Sequence, residues 1–241
     1  IASGQRQRLA PGDGERMKPY YQDEQCTIYH GDCREVLPTL SDGSVDLVLT
    51  DPVWPNSSPM LEGSNRPYEL FAEAAVYFSR LAPRLAVHLG CGSDPRFLCA
   101  VPKELLFFRV CWLRIARPAY HGRLLQGSDV AYLFGEPPPS RERAHLIPGE
   151  AIDHSSNGKQ AAHPTPRKLY HVQWLAAKWG SEGGVILDPF MGSGTTLRAA
   201  KNLGRPVIGI EIEERYCEMA VKRLAQEVLL LQALEEKEAK T

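Results

Sequence analysis

The stretch Asp188-Pro189-Phe190-Met191-Gly192-Ser193-Gly194-Thr195-Thr196 decides how this chain is read, because it joins the apolar run Val185–Leu187 to a helical pattern over Thr195–Leu203. A buried strand that ends in a glycine-rich turn and opens a helix puts that turn at the carboxyl edge of a sheet, where open α/β folds bind ligands. Gly192 and Gly194 let the backbone approach a ligand with no Cβ in the way. Thr195 and Thr196 begin the helix, whose first amides favour a carboxylate or phosphate. The next strand, Val207–Ile210, leads into Glu211. An acid there is placed as in dinucleotide and adenosine sites, where it hydrogen-bonds ribose hydroxyls. A P-loop would need a Lys after Gly194, and a dehydrogenase fingerprint would need Gly where Leu197 stands. The remaining alternative to a nucleotide site is a bare strand-to-helix turn.

A second apolar run, Val45–Thr50, ends in Asp51-Pro52-Val53-Trp54. An exocyclic amine on an aromatic base is a poor nucleophile, since its lone pair is delocalised into the ring. Two acceptors drawing on its hydrogens free that lone pair. Asp51 offers a carboxylate, and Pro52 offers a carbonyl that its fixed φ can aim. Trp54 offers a surface for stacking, worth about 1–3 kcal/mol per base. Together the two turns suggest one site holding a small planar amine against an adenosine-type cofactor. An ordinary Asp-Pro turn beside a core Trp is the alternative.

Around these turns, strands and helices alternate. Strands are expected at Cys26–Tyr29, Val45–Thr50, Leu85–Leu89, Val110–Ile115, Val130–Phe134, Val185–Leu187 and Val207–Ile210. Helices are expected at Cys33–Leu40, Pro67–Leu81, Lys103–Phe107, Pro166–Lys178, Thr195–Leu203 and from about Glu213. This alternation predicts an α/β fold with a doubly wound, mostly parallel sheet covered on both faces. Residues 135–162, rich in Pro, Ser, Gly and charge, read as loop.

The composition, 43% hydrophobic and 24% charged over 241 residues, is ordinary for one soluble globular domain. We expect a leader or processing remnant over about residues 1–20. The domain then spans 21–241: a target-base half over 26–135, the loop, a cofactor half over 163–224 and a C-terminal helix. No apolar run reaches the roughly 20 residues of a membrane span, and the polar start shows no secretory leader. Six cysteines without a CxxC pair, and seven histidines without HExxH spacing, lead us to expect no metal and no disulfides. The net charge of −1 excludes a generic basic nucleic-acid binder. Its distribution is uneven: Arg96, Lys103, Arg109, Arg114, Arg117 and Arg123 stand against Glu104 alone between positions 96 and 123. There Tyr120 and His121 interleave with arginines as on a nucleic-acid face, whereas Trp112 is expected in the core.

The motifs resemble those of the S-adenosylmethionine-dependent DNA amino-methyltransferases, in the permuted, beta-class arrangement that places the catalytic motif before the cofactor motif. The resemblance rests on His30-Gly31-Asp32, Ser44 to Pro52, His163-Pro164-Thr165, Asp188 to Thr196 and Gly209-Ile210-Glu211, in the family's order. It implies a seven-stranded Rossmann-like sheet and S-adenosyl-L-methionine as cofactor. The methionine part would be cradled by Asp188, Phe190, Gly192, Gly194 and Thr195. The segment His163-Pro164-Thr165 would close over its end, with Arg167 also in the cofactor site, Glu211 would hold the ribose and Asp32 the adenine. Asp51, Pro52 and Trp54 would hold the base. The substrate implied is double-stranded DNA with the target base flipped out. N6 of adenine is favoured because cytosine enzymes often carry Ser at the position of Asp51. Cytosine N4, RNA, or a non-catalytic binding module with a cofactor-shaped pocket are the alternatives. A homodimer, a restriction-modification setting and a location in the cytoplasm at the nucleoid complete the expectation. The chain departs from the family's Asp-Pro-Pro-Tyr at Val53 and Trp54. Arg167 and Lys168 stand where the family has Lys and Pro.

Overall fold

Four β-branched or leucine-rich runs form the centre of the sheet because each is apolar on both faces, as a parallel strand buried between helices must be. The computed structural model describes residues 17–57, 59, 61–121, 124–138, 148–154 and 167–225. The central parallel strands are β2 (Cys26–His30), β3 (Leu47–Thr50), β4 (Arg84–Gly90), β8 (Ile186–Asp188) and β9 (Val207–Glu211). With β1 (Tyr21–Gln22), β5 (Phe107–His121), β6 (Leu124–Gly135) and β7 (Glu150–Asp153), they make a nine-stranded sheet in the order β1-β2-β9-β8-β3-β4-β6-β5-β7. β8 pairs with β3 and β9, and β3 with β4, all in parallel. The chain winds outward in both directions from the β3–β8 boundary. That boundary is the sheet's switch point.

Helices cover both faces. On one lie α4 (Leu169–Trp179), α5 (Thr195–Asn202) and a helix over 214–225, here α6. They bury Val172, Leu175, Trp179, Leu197 and Ala220 against Leu47, Leu49 and Ile186. On the other lie α1 (Cys33–Val36), α2 (Pro67–Ala75) and α3 (Phe78–Leu81), which pack Val36, Phe71, Phe78 and Leu81 against Val48, Val87 and Leu187. At about 25 cal/mol per Å² of apolar surface removed from water, these two layers supply most of the drive to fold. Gly209 in β9 is required by close packing: a Cβ there would sit 2.4 Å from Met191 Sδ and 2.8 Å from Leu197 Cδ1.

Several expectations need correction. The expected α/β doubly wound sheet is present and, among the described residues, carries nine strands where the resemblance implied seven. Lys103–Phe107 is no helix; a turn closed by Leu105 N–H to the Pro102 carbonyl at 3.0 Å leads into β5. The expected strand Val110–Ile115 extends to His121 because the break at Pro118 is absorbed by a register shift between Arg114 and Ala119, where a strand tolerates Pro. The expected loop over 135–162 contains β7, whose four residues alternate too briefly to be read. Helix Pro67–Leu81 divides at Val76 and Tyr77, where Tyr77 N–H reaches back only to Ala74, at 3.2 Å. Trp112 is half exposed, not core, because Cys111 and Leu113 take the inward positions of that strand. All six cysteines are free, and burial pushes the Cys26, Cys33 and Cys217 thiols up to about 12.

Candidate active site

The carboxyl ends of β2, β9, β8 and β3 open on one cleft at the switch point, the place where doubly wound sheets bind ligands. Asp32, Asp51, Pro52, Trp54, Arg167, Asp188, Phe190, Gly192, Thr195 and Glu211 all line it. The predicted residues therefore converge from turns far apart in the sequence.

On the cofactor side, Asp188 is buried at the end of β8 and accepts hydrogen bonds from Thr50 Oγ1 (2.9 Å) and Phe190 N–H (3.1 Å). It fastens the end of β3 to the glycine turn. Burial pushes its carboxyl up to about 6, against the pull of hydrogen bonds from Thr196, Phe190 and Thr50. Gly194 caps α5 in the left-handed region, at φ 80° and ψ 32°. It stands behind the cleft wall, against Ala220 of α6. Glu211 accepts Gly192 N–H on Oε2 and Glu213 N–H on Oε1, each at 2.9 Å. A carboxylate oxygen accepts more than one hydrogen bond, so both retain capacity for a vicinal diol. Asp32 caps α1 through Arg34 N–H at 2.9 Å and also pairs with the Arg34 guanidinium, which holds its carboxyl below the usual range.

Burial also pushes Glu211 up to about 7. A carboxyl raised in the folded state favours its neutral form, so ligand-free stability falls as pH rises from the ordinary carboxylate value through about 7. If Glu211 takes the ribose hydroxyls, which donate best to its ionised form, cofactor affinity should rise across the same window, with proton release on binding. Calorimetry in buffers of different ionisation enthalpy checks this. Glu211→Gln should abolish the pH dependence and weaken binding roughly 5- to 150-fold, the equivalent of about 1–3 kcal/mol. An unchanged affinity would remove Glu211 from the site.

On the catalytic side, Asp51 does not stand alone. Arg167 grips it with a two-pronged fork, Nε to Oδ2 at 2.7 Å and Nη2 to Oδ1 at 2.8 Å. Its third nitrogen, Nη1, reaches Asp129 Oδ2 on β6 at 3.1 Å, and Asp129 Oδ2 also meets His88 Nε2 on β4 at 3.1 Å. The Arg167 guanidinium carbon lies 4.9 Å from the Trp54 ring centroid, in cation–π range. Burial opposes the charge on Arg167, but Asp51 and Asp129 outweigh it and raise its pKa. Burial likewise pushes Asp129 up, yet the His88 hydrogen bond and the Arg167 charge hold it down at about 2. Behind His88 lies His171, whose Nε2 donates to the Arg114 carbonyl at 2.9 Å. His88, Asp129 and His171 each bring one ligand-type atom within 4.8 Å of the others, although Asp129 Oδ2 is already shared by Arg167 and His88.

Arg167, expected in the cofactor site, lines the cleft with its guanidinium on Asp51 and Asp129. Thr165 lies outside the described residues, with the rest of His163-Pro164-Thr165. Asp129, His88 and His171 were not foreseen, since a single acid before an apolar strand and two isolated histidines carry no spacing signal. Of the expected basic stretch, Trp112 and Arg114 point outward on β5, while Arg96 is paired with Asp94 at 2.6 Å and Arg114 with Glu150 at 3.3 Å. The side chains of Arg117, Tyr120, His121 and Arg123 lie outside those described.

A doubly wound sheet with a glycine turn, a buried acid after the next strand and an Asp-Pro turn on one cleft is the arrangement of a Rossmann-like fold. The family model for DNA methylases, covering N6 and N4 amino-methyltransferases, matches residues 112–222. The chain is 25% identical over 248 residues to the type II methyltransferase M2.LlaDCHI of Lactococcus lactis subsp. cremoris, covering 86% of this chain and 92% of that one. Its fold is that of the M1.HpyAVI complex with S-adenosylmethionine (TM-score 0.63, 23% identity, 83% and 98% covered). It is also that of the PvuII cytosine-N4-specific DNA methyltransferase (TM-score 0.64, 18% identity, 85% and 88% covered). The resemblance to S-adenosylmethionine-dependent DNA amino-methyltransferases thus extends from short motifs to most of the chain.

Proposed function

We propose that this protein transfers a methyl group from S-adenosylmethionine to an exocyclic base amine in DNA, N6 of adenine. The observation that carries the reading is the meeting, at one switch point, of the Asp51-Pro52-Trp54 turn with the glycine turn and Glu211. S-adenosylmethionine fits the donor set: Glu211 keeps acceptor capacity for a ribose diol, and the N-terminus of α5 beside the cleft suits a carboxylate. It would supply an electrophilic methyl group. Asp188, Phe190, Gly192, Gly194 and Thr195 would shape its methionine end, Glu211 would bind the ribose and Asp32 the adenine.

The chain's own contribution to the reaction is geometric and electrostatic. Asp51 and the Pro52 carbonyl accept the two amine hydrogens and expose the nitrogen lone pair. Trp54 supports the base by stacking. As the bond to nitrogen forms and the methyl–sulfur bond breaks to leave the neutral thioether S-adenosylhomocysteine, the amine's extra proton passes to Asp51 or water. The base must come out of its duplex to reach a pocket at a sheet edge, which costs a few kcal/mol. Asp at position 51 favours adenine over cytosine by the family resemblance.

Labelled methyl transfer from S-adenosylmethionine to unmethylated duplex DNA, single-stranded DNA and RNA, followed by nucleoside identification, tests this. N6-methyldeoxyadenosine is the expected product. N4-methyldeoxycytidine would move the target to cytosine, and label in RNA alone would overturn the DNA assignment. Tight cofactor binding with no transfer to any nucleic acid would favour a binding module.

A further inference from the structure

We infer that Arg167, anchored by Asp129 with His88 behind it, is a positioning residue that fixes the carboxylate of Asp51 for the target amine. The inference rests on the reading of Asp51 as the amine's acceptor.

Asp51 follows β3 in a turn without regular hydrogen bonding, so nothing in its own backbone sets the plane of its carboxylate. The Arg167 fork does, because two parallel N–H···O bonds at 2.7 and 2.8 Å define a plane and not merely a distance. The fork is itself fixed at its far end. Asp129 and His88 sit on adjacent antiparallel strands, β6 and β4, so the sheet holds the third guanidinium nitrogen in place through Asp129. The same guanidinium lies over Trp54, so one group orients both the acceptor and the stacking surface proposed for the base.

Arg167 need not leave during the reaction. The fork takes one lone pair from each Asp51 oxygen, and each oxygen keeps another that an amine N–H can use. Releasing the fork would leave Asp51 without its partner inside a cleft where Arg167 has a side-chain exposure of only 12%. Lysine would keep the charge but, as a single-point donor, could not set the plane.

The expected result is that Arg167→Lys lowers the single-turnover rate of methyl transfer to unmethylated duplex DNA by about 10- to 100-fold, the scale of a small misplacement of a reacting group. The KM for DNA and the cofactor affinity by calorimetry should stay within about threefold of the parent by the same argument, since the loss lies in the reacting geometry. Asp129→Asn, which keeps an acceptor for Arg167, should fall between the parent and Arg167→Lys. Thermal melting of both variants, with Arg167→Met as a third, separates loss of fold from loss of positioning. Equal losses in rate, cofactor affinity and melting temperature would make the role merely structural and overturn the inference. A faster rate or tighter DNA binding in Arg167→Met would show that the guanidinium is a stand-in displaced by the base, and would also overturn it. Asp51→Ala run in parallel distinguishes the two levels. An inactive Asp51→Ala beside a fully active Arg167→Lys sinks the positioning role alone, whereas an active Asp51→Ala sinks the reading of the site.

Discussion

Asp51→Ala should lower methyl transfer by about 10²–10³-fold, the effect of removing one preorganised group that acts mainly in the transition state. The amine would lose the acceptor that exposes its lone pair, leaving the Pro52 carbonyl as its only proposed partner. Cofactor binding should persist, because the hydrogen bonds that hold Glu211 and the glycine turn do not involve Asp51. Stability should fall by about 1–3 kcal/mol, since among the described residues the Arg167 guanidinium would keep only Asp129 as an ionic partner. Asp51→Asn should recover little of the rate: its amide keeps one oxygen but turns an NH2 toward the Arg167 fork. Calorimetry with S-adenosylmethionine and tritium transfer to unmethylated duplex DNA measure the two effects separately. A rate within threefold of the parent would remove Asp51 from the chemistry.

The second large effect belongs to Gly194. Valine there meets two obstacles at once. At φ 80° an L-residue is strained, a β-branched one most of all, and a Cβ would lie 2.7 Å from the Ala220 Cβ and 3.2 Å from its Cα. Strain and overpacking together cost about 2–6 kcal/mol, a large part of the roughly 5–15 kcal/mol that holds a domain together. We expect a melting temperature lower by roughly 5–20 °C and no measurable cofactor binding, because relief of the clash moves the turn away from α6. Differential scanning calorimetry and cofactor titration check this. A Gly194→Val protein with parental melting and affinity would mean that the turn can shift without consequence.

The sequence made the parallel centre of the sheet readable because its strands are short apolar runs ending in chemically distinctive turns. Asp51, Asp188, Gly192 and Glu211 could be placed from those turns alone. The side of the sheet beyond β4, where only β6 runs antiparallel, was less legible. The strand expected over Val110–Ile115 runs on past Pro118, and nothing in one sequence announces that a register shift will absorb a proline. β7 was missed because Glu150-Ala151-Ile152-Asp153 gains its strand geometry from pairing with β5. Trp112 misled because an aromatic in an apolar run usually points inward, whereas here Cys111 and Leu113 hold those positions. The partners of Asp51 were the least visible part. Asp129, His88 and Arg167 come from different elements and become a set only when β4, β6 and the start of α4 are brought together.

The same arrangement bears on how the native state is reached. The Asp51–Arg167 pair closes a sequence separation of 116 residues, while His88–Asp129 and Asp129–Arg167 close 41 and 38. Local helices such as α5 form without such closures, but this row of charges cannot exist until β3, β4 and β6 are in register and the chain has returned to α4. Contacts of long sequence separation slow folding, because their loop-closure entropy is spent before they repay it. The ionic row at Asp51 is therefore a product of the finished sheet rather than a scaffold for building it.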